Sequence, residues 1–164
     1  MNISDSIQPG KGEEVVEKSQ PVSPRSQSRR AALQGLYQWQ LTQASALEIM
    51  KQFSEDGYLQ HLDFELFKEL LSQIILQSEA LDALFVDFID RDLKRLDPVE
   101  KAILRIGTYE LRDKIEIPYK VVINEAVELA KVFGADESHK FINGILDRVA
   151  QQARPQEYQA RTAD

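Results

Sequence analysis

The sequence predicts an all-α protein, and three observations support that fold class. Apolar residues recur at helical spacing from Arg29 to Ala153, residues that favour helix starts and stops separate these stretches, and no stretch combines two-residue alternation with hairpin turn signals. The chain has 164 residues, of which 43% are hydrophobic. This supplies the core of one compact domain, and the chain is too short to divide comfortably into two.

Both ends of the chain are predicted to be disordered. Residues 1–28 are mainly Ser, Gln, Pro, Glu and Gly, which cannot bury enough apolar surface to offset the entropy lost on ordering. The apolar period is lost after Gln151, and Pro155 interrupts any helix that reaches it, so the last helix should end near Ala153. The expected organisation is a disordered arm over 1–28, an all-helical domain over 29–153 and a disordered tail over 154–164.

Four helices are expected in the first half of the domain. The first spans residues 29–41, with its apolar stripe on one side, and the second lies around residues 47–53. Asp63 and Ser78 can cap the next two helices, because their side-chain oxygens accept backbone N–H bonds. The apolar face of the fourth helix then continues to a break at about residues 90–95.

Three further helices are expected in the second half. The clearest start signal is DPVE at 97–100, in which Asp97 can accept backbone N–H bonds, the proline suits the first helical position and the glutamate can reach back. After Pro118 a helical period runs to Gly134, which is expected to be a left-handed C-cap. Ser138 then caps the last helix. The total is about seven helices.

The charge is unevenly distributed along the chain. The net charge of -7 and the pI near 5.0 argue against a protein that binds nucleic acid with its whole surface. Residues 1–17 carry -3, residues 18–47 carry +4 without a single acid, and the rest of the chain carries -8. A polyanion would therefore bind at the basic segment. The alternative is that this charge run only keeps the arm soluble.

No catalytic, metal or cofactor site is indicated. The absence of cysteine excludes disulfide scaffolds, thiolate zinc sites and cysteine nucleophiles, and His61 and His139 have no partner at ligand spacing. There is no glycine-rich phosphate loop and no nucleophile motif. Glu125 and Glu128 most simply belong to a solvated helix face. We therefore expect a protein that is not an enzyme and needs no cofactor.

The location is expected to be the cytoplasm. No apolar run reaches the length of a signal peptide or of a membrane span, so neither secretion nor membrane insertion is expected. A chain without cysteine is also compatible with a reducing compartment.

One candidate binding face lies on the first helix. Arg30, Gln34 and Tyr37 stand at i, i+4 and i+7, and therefore share one side of it. A guanidinium, an amide and an aromatic ring together can hold a phosphate, bond a base edge and stack on an unpaired base. In the alternative interpretation Tyr37 packs in the core with its hydroxyl at the rim.

A second candidate is the loop and helix start FGADESHKFING at 133–144. A helix N-terminus presents free N–H groups and a positive dipole end, and Lys140 adds a charge, so a phosphate could bind there. In the alternative interpretation Phe141 belongs to the core and His139 is a surface capping residue.

Three blocks of the sequence resemble the NusB family. They are RRAALQGLYQWQL from Arg29, LDPVEKAILRIGTYEL from Leu96 and IPYKVVINEAVELAKVFGADESHKFINGILD from Ile117, in the family's order and at similar separations. The resemblance implies two small helical bundles that share the first helices, acting without catalysis. It also implies pairing with NusE, the ribosomal small-subunit protein, and binding of the heterodimer to boxA, a single-stranded element of nascent RNA. The complex would then load the RNA polymerase antitermination assembly, including on ribosomal RNA operons.

The resemblance also implies which residues do this. Its arginine-rich segment falls on Arg25, Arg29 and Arg30, and its aromatic falls on Tyr37. With Gln34 from the helix face, the residues expected to contact RNA are Arg25, Arg29, Arg30, Gln34, Tyr37, Glu137, His139, Lys140 and Phe141. Glu100 falls on the surface associated with the protein partner. Three polar residues separate Arg25 from Arg29, whereas family members with a dense cluster carry consecutive basic residues, so weaker phosphate contact is expected here.

Two rival functions are considered. Some ribosomal RNA cytosine methyltransferases carry a NusB-like domain ahead of a catalytic domain, but a methyl-donor site needs a doubly wound sheet, and only a short polar tail follows Val149. The other rival is a purely structural or homodimeric module in which the basic segment has no ligand. Titration with a boxA-like RNA, with and without NusE, discriminates among the three.

Overall fold

Eight α-helices and two short 3-10 turns make up the described part of this computed structural model, residues 22–163. The helices are α1 (Pro24–Thr42), α2 (Ala46–Glu55), α3 (Phe64–Leu76), α4 (Ser78–Phe85), α5 (Pro98–Asp113), α6 (Tyr119–Phe133), α7 (Ser138–Ala153) and α8 (Pro155–Ala163). The turns, Val86–Phe88 and Leu93–Arg95, lie between α4 and α5. No strand occurs over residues 22–163, so the all-α prediction is confirmed.

The helices form two groups around one continuous core. Helix α1 packs on α2 and α3 on one side and on α5 on the other, while α5, α6 and α7 pack on one another. Helix α5 is the centre, because its ten residues 102–111 are all buried. It crosses α7 closely at Gly107, where an added Cβ would lie 2.6 Å from the Cδ1 of Leu146. The arrangement matches the expected pair of small bundles.

Helix α1 begins five residues earlier than the sequence predicts. Ser23 caps it by accepting a hydrogen bond from the Ser26 N–H, and Pro24 occupies the first turn. Ser28 is fully buried and its hydroxyl donates to the Asp63 carbonyl at 2.6 Å. The polar composition of residues 24–28 therefore concealed a helical turn whose order comes from packing on a distant segment. Residues 1–21 of the expected arm lie outside the described residues.

The expected disordered tail contains a helix instead. Pro155 ends α7 and starts α8, and the buried Arg154 side chain joins the two helices to the core. Its guanidinium donates to the main-chain carbonyls of Glu110, Leu111, Lys114 and Ile117 and to the Glu157 carboxylate. These carbonyls lie at and just beyond the end of α5, where the last carbonyls of a helix lack intrahelical partners. Arg154 thus donates to carbonyls at this helix end, of which those of Glu110 and Lys114 also accept a backbone N–H, from a position predicted to belong to a disordered tail. Residue 164 lies outside the described residues.

Some of the expected caps are present and others are not. Asp63 and Asp97 each accept backbone N–H bonds at the starts of α3 and α5, as predicted. Ser78 makes no capping bond. Gly134 is extended (φ -91°, ψ 173°) rather than left-handed, and the left-handed residue at this junction is Glu137, with φ 69°.

Candidate nucleic-acid interface

Tyr37 lies on the surface beside a shallow apolar cavity. Its side chain is 39% exposed, which excludes the interpretation that it is a core residue. The cavity, of about 200 Å³, is lined by Leu33, Gln34, Tyr37, Val99 and Phe133. Helices α1, α5 and α6 each contribute to this wall, so an apolar floor adjoins an exposed aromatic ring. A flat aromatic or apolar group fits this surface.

Arg30 lies in a different groove from Tyr37. The half-buried Arg30 lines a cavity of about 330 Å³ together with Ser26 on α1 and Glu125 and Glu128 on α6. The spacing of Arg30, Gln34 and Tyr37 places them on one side of α1, but the neighbouring helices divide that side into two cavities. The two carboxylates reduce the positive potential at Arg30. Helix α6 therefore weakens the phosphate-binding role predicted for this residue.

Arg29 is buried, and the structure corrects its predicted contact with RNA. Its side chain is 5% exposed, and its Nη2 lies 3.0 Å from the Oε2 of Glu110. A second ion pair joins its Nη1 to the Oε1 of Glu125 at 3.3 Å. Burial raises the pKa of Glu110, and the hydrogen bonds from Arg29 oppose that rise. A guanidinium committed to two carboxylates inside the protein cannot hold a phosphate outside it.

The sequence contains a signal for this burial. Arg29 is three, four and seven residues before Ala32, Leu33 and Leu36, so it lies on the core stripe of α1, whereas Arg30 does not. Arg25, in contrast, remains on the surface, where its Nη1 lies 3.4 Å from Asp63 in an exposed pair. Of the three predicted arginines, Arg25 and Arg30 are therefore accessible and Arg29 is not.

The start of α7 lies against the start of α5. The buried Ser138 hydroxyl donates to the Oε2 of Glu100 at 2.7 Å. Ser138 is therefore not the cap of α7, and Glu100 does not reach back to its own helix start as the DPVE pattern suggested. Val99, beside Glu100, lines the Tyr37 cavity. The first turn of α5 therefore contacts the start of α7 through Glu100 and lines the Tyr37 cavity through Val99. The predicted contact of Glu100 with a protein partner stays a prediction.

The other predicted residues of this loop lie near the surface. Glu137 and Lys140 form an exposed ion pair, with 2.8 Å between Oε1 and Nζ. His139 and Phe141 are half-buried, and Phe141 packs on the edge of the core. Phe141 is therefore neither a fully buried core residue nor a fully exposed one, and part of its ring remains accessible.

Sequence reasoning missed Arg91 as a neighbour of this site. Its guanidinium carbon lies 4.9 Å from the centre of the Phe141 ring, in a cation-π contact. The pKa of Arg91 is raised chiefly by its hydrogen bond to Asp90 and also by the nearby charge of Glu100. The only sequence signal was a basic residue in the break between two helices, which indicates no partner. Val99 and Phe133 were also missed as cavity residues, because an apolar period does not distinguish a core residue from one at a cavity wall.

The described residues were searched for groups that could bind a metal ion and for helices that could span a membrane. Across residues 22–163 no three His, Cys, Asp or Glu side chains are grouped so that they could hold a metal ion. No helix in the same range is long and apolar enough to span a membrane.

Comparison with known proteins places the chain in a family. A model of the NusB family matches residues 26–151. The chain is 53% identical over 154 residues to "Transcription antitermination protein NusB" of Hydrogenovibrio crunogenus, with 94% of this chain and 95% of the relative covered. It is 46% identical over 129 residues to the protein of the same name from Pasteurella multocida, covering 79% of this chain and 90% of the relative.

Two solved structures share its fold. T. maritima NusB superposes with a TM-score of 0.71 at 29% identity, covering 85% of this chain and 99% of that one. A complex described as the antitermination factors NusB and NusE with dsRNA contains a chain that superposes with a TM-score of 0.70 at 26% identity. The superposition covers 77% of this chain and 96% of that one. With the family model spanning most of the folded chain and close relatives matched over nearly their full lengths, this protein belongs to the NusB family.

Proposed function

We propose that this protein is a transcription antitermination factor that binds RNA together with NusE and acts without catalysis. The relatives it matches over nearly their full length carry the antitermination name. A structural neighbour is a NusB that was solved with NusE and RNA. The resemblance of the three sequence blocks adds boxA as the RNA element and the RNA polymerase antitermination complex as the assembly. The place of action would be the cytoplasm, where transcription occurs in bacteria.

The observation that carries the RNA-binding proposal is the exposed Tyr37 ring beside an apolar cavity, adjacent to the start of α7. Val99 lines the cavity and its neighbour Glu100 contacts the start of α7, so the two candidate faces both adjoin the first turn of α5. An exposed aromatic can stack on a base, and Gln34 can bond a base edge. We call this set of residues, Gln34, Tyr37, His139, Lys140 and Phe141, the RNA face.

The cations around the RNA face are few. Arg25, Arg30 and Lys140 are the accessible predicted ones, of which Arg25 is paired with Asp63 and Lys140 with Glu137. Three phosphate contacts give a modest electrostatic contribution, since each contributes about 0.7 to the log-log salt slope for a single strand. Stacking and edge contacts, with NusE beside them, would then supply most of the specificity.

We propose a single strand as the preferred ligand, although the solved complex contains dsRNA. In a duplex the base faces are already stacked on one another, so Tyr37 could reach them only at an end. A boxA-like single strand and the same sequence annealed to its complement are the probes for this choice. Tighter binding of the annealed form would contradict it.

The test of the function compares two exposed tyrosines. Tyr37→Ala should weaken binding of a boxA-like RNA by about 5- to 150-fold, because stacking contributes about 1 to 3 kcal/mol per base. Tyr58→Ala is the matched control, since Tyr58 is 56% exposed and lies outside the RNA face. Both are titrated with labelled RNA in the absence and presence of NusE. Equal affinities of the two variants and the wild type would remove the RNA face as the binding site.

The same titrations address the rivals. A NusB-like domain of a methyltransferase is the enzymatic alternative, and a homodimeric module without a ligand is the structural one. An enzyme domain has no need of NusE, and a ligand-free module binds neither RNA nor NusE. NusE-dependent tightening of RNA binding therefore supports the antitermination function against both.

A further inference from the structure

The connector between α4 and α5, residues 86–97, presents basic side chains on an ordered backbone. Ile89 and Leu96 are buried and anchor it to the core. The 3-10 turn Leu93–Arg95 is capped by Asp92, whose carboxylate accepts the Lys94 N–H, and is closed by a bond from the Leu96 N–H to the Leu93 carbonyl at 3.1 Å. The exposed residues between the anchors are therefore held in a defined position.

Three of the four acids in this connector have partners within it or in the start of α5, whereas Asp87 is exposed and forms no ion pair within residues 22–163. Asp90 accepts a hydrogen bond from the Arg91 Nε at 2.8 Å. Asp92 caps the turn, and Asp97 accepts the N–H groups of the first turn of α5. Lys94 and Arg95 are exposed, and neither forms an ion pair with any residue in the range 22–163. They are two free cations in the part of the chain that carries -8.

These cations follow closely in the chain after a residue that contacts the RNA face. Arg91 contacts the Phe141 ring directly, and Lys94 is only three residues further along the chain. Three residues span at most about 10 Å, and the side chains of lysine and arginine extend several ångströms beyond the backbone. A strand crossing Phe141 could therefore reach Lys94 and Arg95 without leaving the protein surface.

We propose that Lys94 and Arg95 bind backbone phosphates of the RNA strand where it continues beyond Phe141. This inference rests on the proposed function and extends it, since it adds phosphate contacts that do not depend on the RNA sequence. We call Lys94 and Arg95 together the phosphate track. An RNA is favoured over an acidic protein as the ligand because the pair continues a surface whose aromatic residues suit bases. Contacts to phosphate hold the strand in register and carry no base specificity.

The test uses two RNAs of different length. One is a boxA-like RNA of about 12 nucleotides, and the other is the same RNA extended at both ends with uridines. With three phosphate contacts on the short RNA and five on the long one, the log-log salt slopes should be near -2 and -3.5 at about 0.7 per contact. The variant is Lys94→Gln/Arg95→Gln. Its control is Lys68→Gln/Lys120→Gln, which makes the same charge change at exposed positions on α3 and α6.

The Lys94→Gln/Arg95→Gln variant should bind the long RNA about tenfold more weakly at low salt and with a slope near -2, while binding of the short RNA stays unchanged. The control should match the wild type on both RNAs. A long-RNA slope equal to that of the control would overturn the inference, and so would loss of NusE binding with RNA binding intact.

Tyr37→Ala separates this inference from the function on which it rests. If Tyr37→Ala weakens binding and the connector variant does not, the RNA face stands and the track is overturned. If the wild type binds neither RNA, the proposed function fails and the track fails with it. The charge-reversed variant Lys94→Glu/Arg95→Glu should weaken binding of the long RNA further than the neutral one, and equal binding would count against the track.

Discussion

Arg29 and Arg30 are neighbours in the chain with opposite environments. Arg29 lies among buried side chains and neutralises Glu110, whereas Arg30 lines an open groove. A rotation of about 100° along the helix separates them. Their contributions should therefore differ in kind, with Arg29 acting on stability and Arg30 on RNA binding.

Arg29→Ala is expected to lower the free energy of unfolding by about 3–5 kcal/mol at neutral pH, because it leaves the Glu110 carboxylate buried without its guanidinium. Urea unfolding measures this. Arg30→Ala should change the free energy of unfolding by no more than about 0.5 kcal/mol relative to wild type. It should weaken the binding of all RNA sequences to a similar extent. A strongly destabilising Arg30→Ala together with a neutral Arg29→Ala would reverse the assignment.

The loss in Arg29→Ala should also depend on pH. Burial raises the pKa of Glu110 in the folded protein, and removing Arg29 raises it further. When the pKa of a carboxyl group is higher in the folded than in the unfolded protein, the protonated group stabilises the fold below the unfolded-state pKa. That stability is lost as the pH rises through the folded-state pKa. The deficit relative to wild type should therefore grow as the pH rises from below the ordinary pKa of a glutamate to neutrality and above. In Arg29→Ala/Glu110→Gln, which lacks the titrating group, this dependence should disappear.

Glu137 offers a test of the loop before α7. Its exposed carboxylate pairs with Lys140 at 2.8 Å, so Glu137→Gln removes a negative charge and releases a lysine. RNA affinity should rise, and the gain should shrink with added salt because screening weakens surface charges. Glu65→Gln, in the first turn of α3, is the control. Equal RNA affinities of wild type and Glu137→Gln at low salt would remove this loop from the RNA site.

At the scale of the elements, two glycines report on how closely the helices approach. Gly107→Ala on α5 should lower the free energy of unfolding by about 1 kcal/mol or more, because the new Cβ would meet three atoms of the buried Leu146 side chain. Gly144→Ala on α7 should instead raise it by about 0.5–1 kcal/mol, since that position is exposed and has nothing within 4 Å. Thermal unfolding of both variants measures the difference. Stabilisation by both substitutions would show that α5 and α7 are packed less tightly than described.

The element that sequence reasoning missed is α8. Its residues have no strong apolar period, and Pro155 alone predicts the end of a helix as readily as the start of one. Proline is well suited to the first turn of a helix, where its missing N–H costs nothing. The order of α8 depends on Arg154, which reaches the carbonyls at the end of α5, 40 to 44 residues away in the chain. A local pattern cannot report such a contact.

At the scale of the whole molecule, the acidic surface limits RNA binding. The protein has a net charge of -7, so RNA must bind at a small positive region while the rest of the surface repels it. With about three phosphate contacts, a short boxA-like single strand should give a log-log salt slope near -2. Titrations between about 50 and 200 mM salt measure it. A slope several times steeper would mean that the RNA surface lies elsewhere.

The sequence by itself determined the fold class, seven of the eight helices and the caps Asp63 and Asp97, because helical periods and caps depend on residues within a few positions of one another. It also singled out Tyr37 and the loop before α7, although their roles in RNA binding stay predictions. Only the tertiary structure decided that Arg29 is buried, that Ser138 binds Glu100 and that Arg91 contacts the Phe141 ring. These contacts join residues 38 to 81 positions apart. Whether a charged side chain binds a ligand or a neighbouring helix depends on which helices pack together, and that is settled by burial of the whole apolar surface.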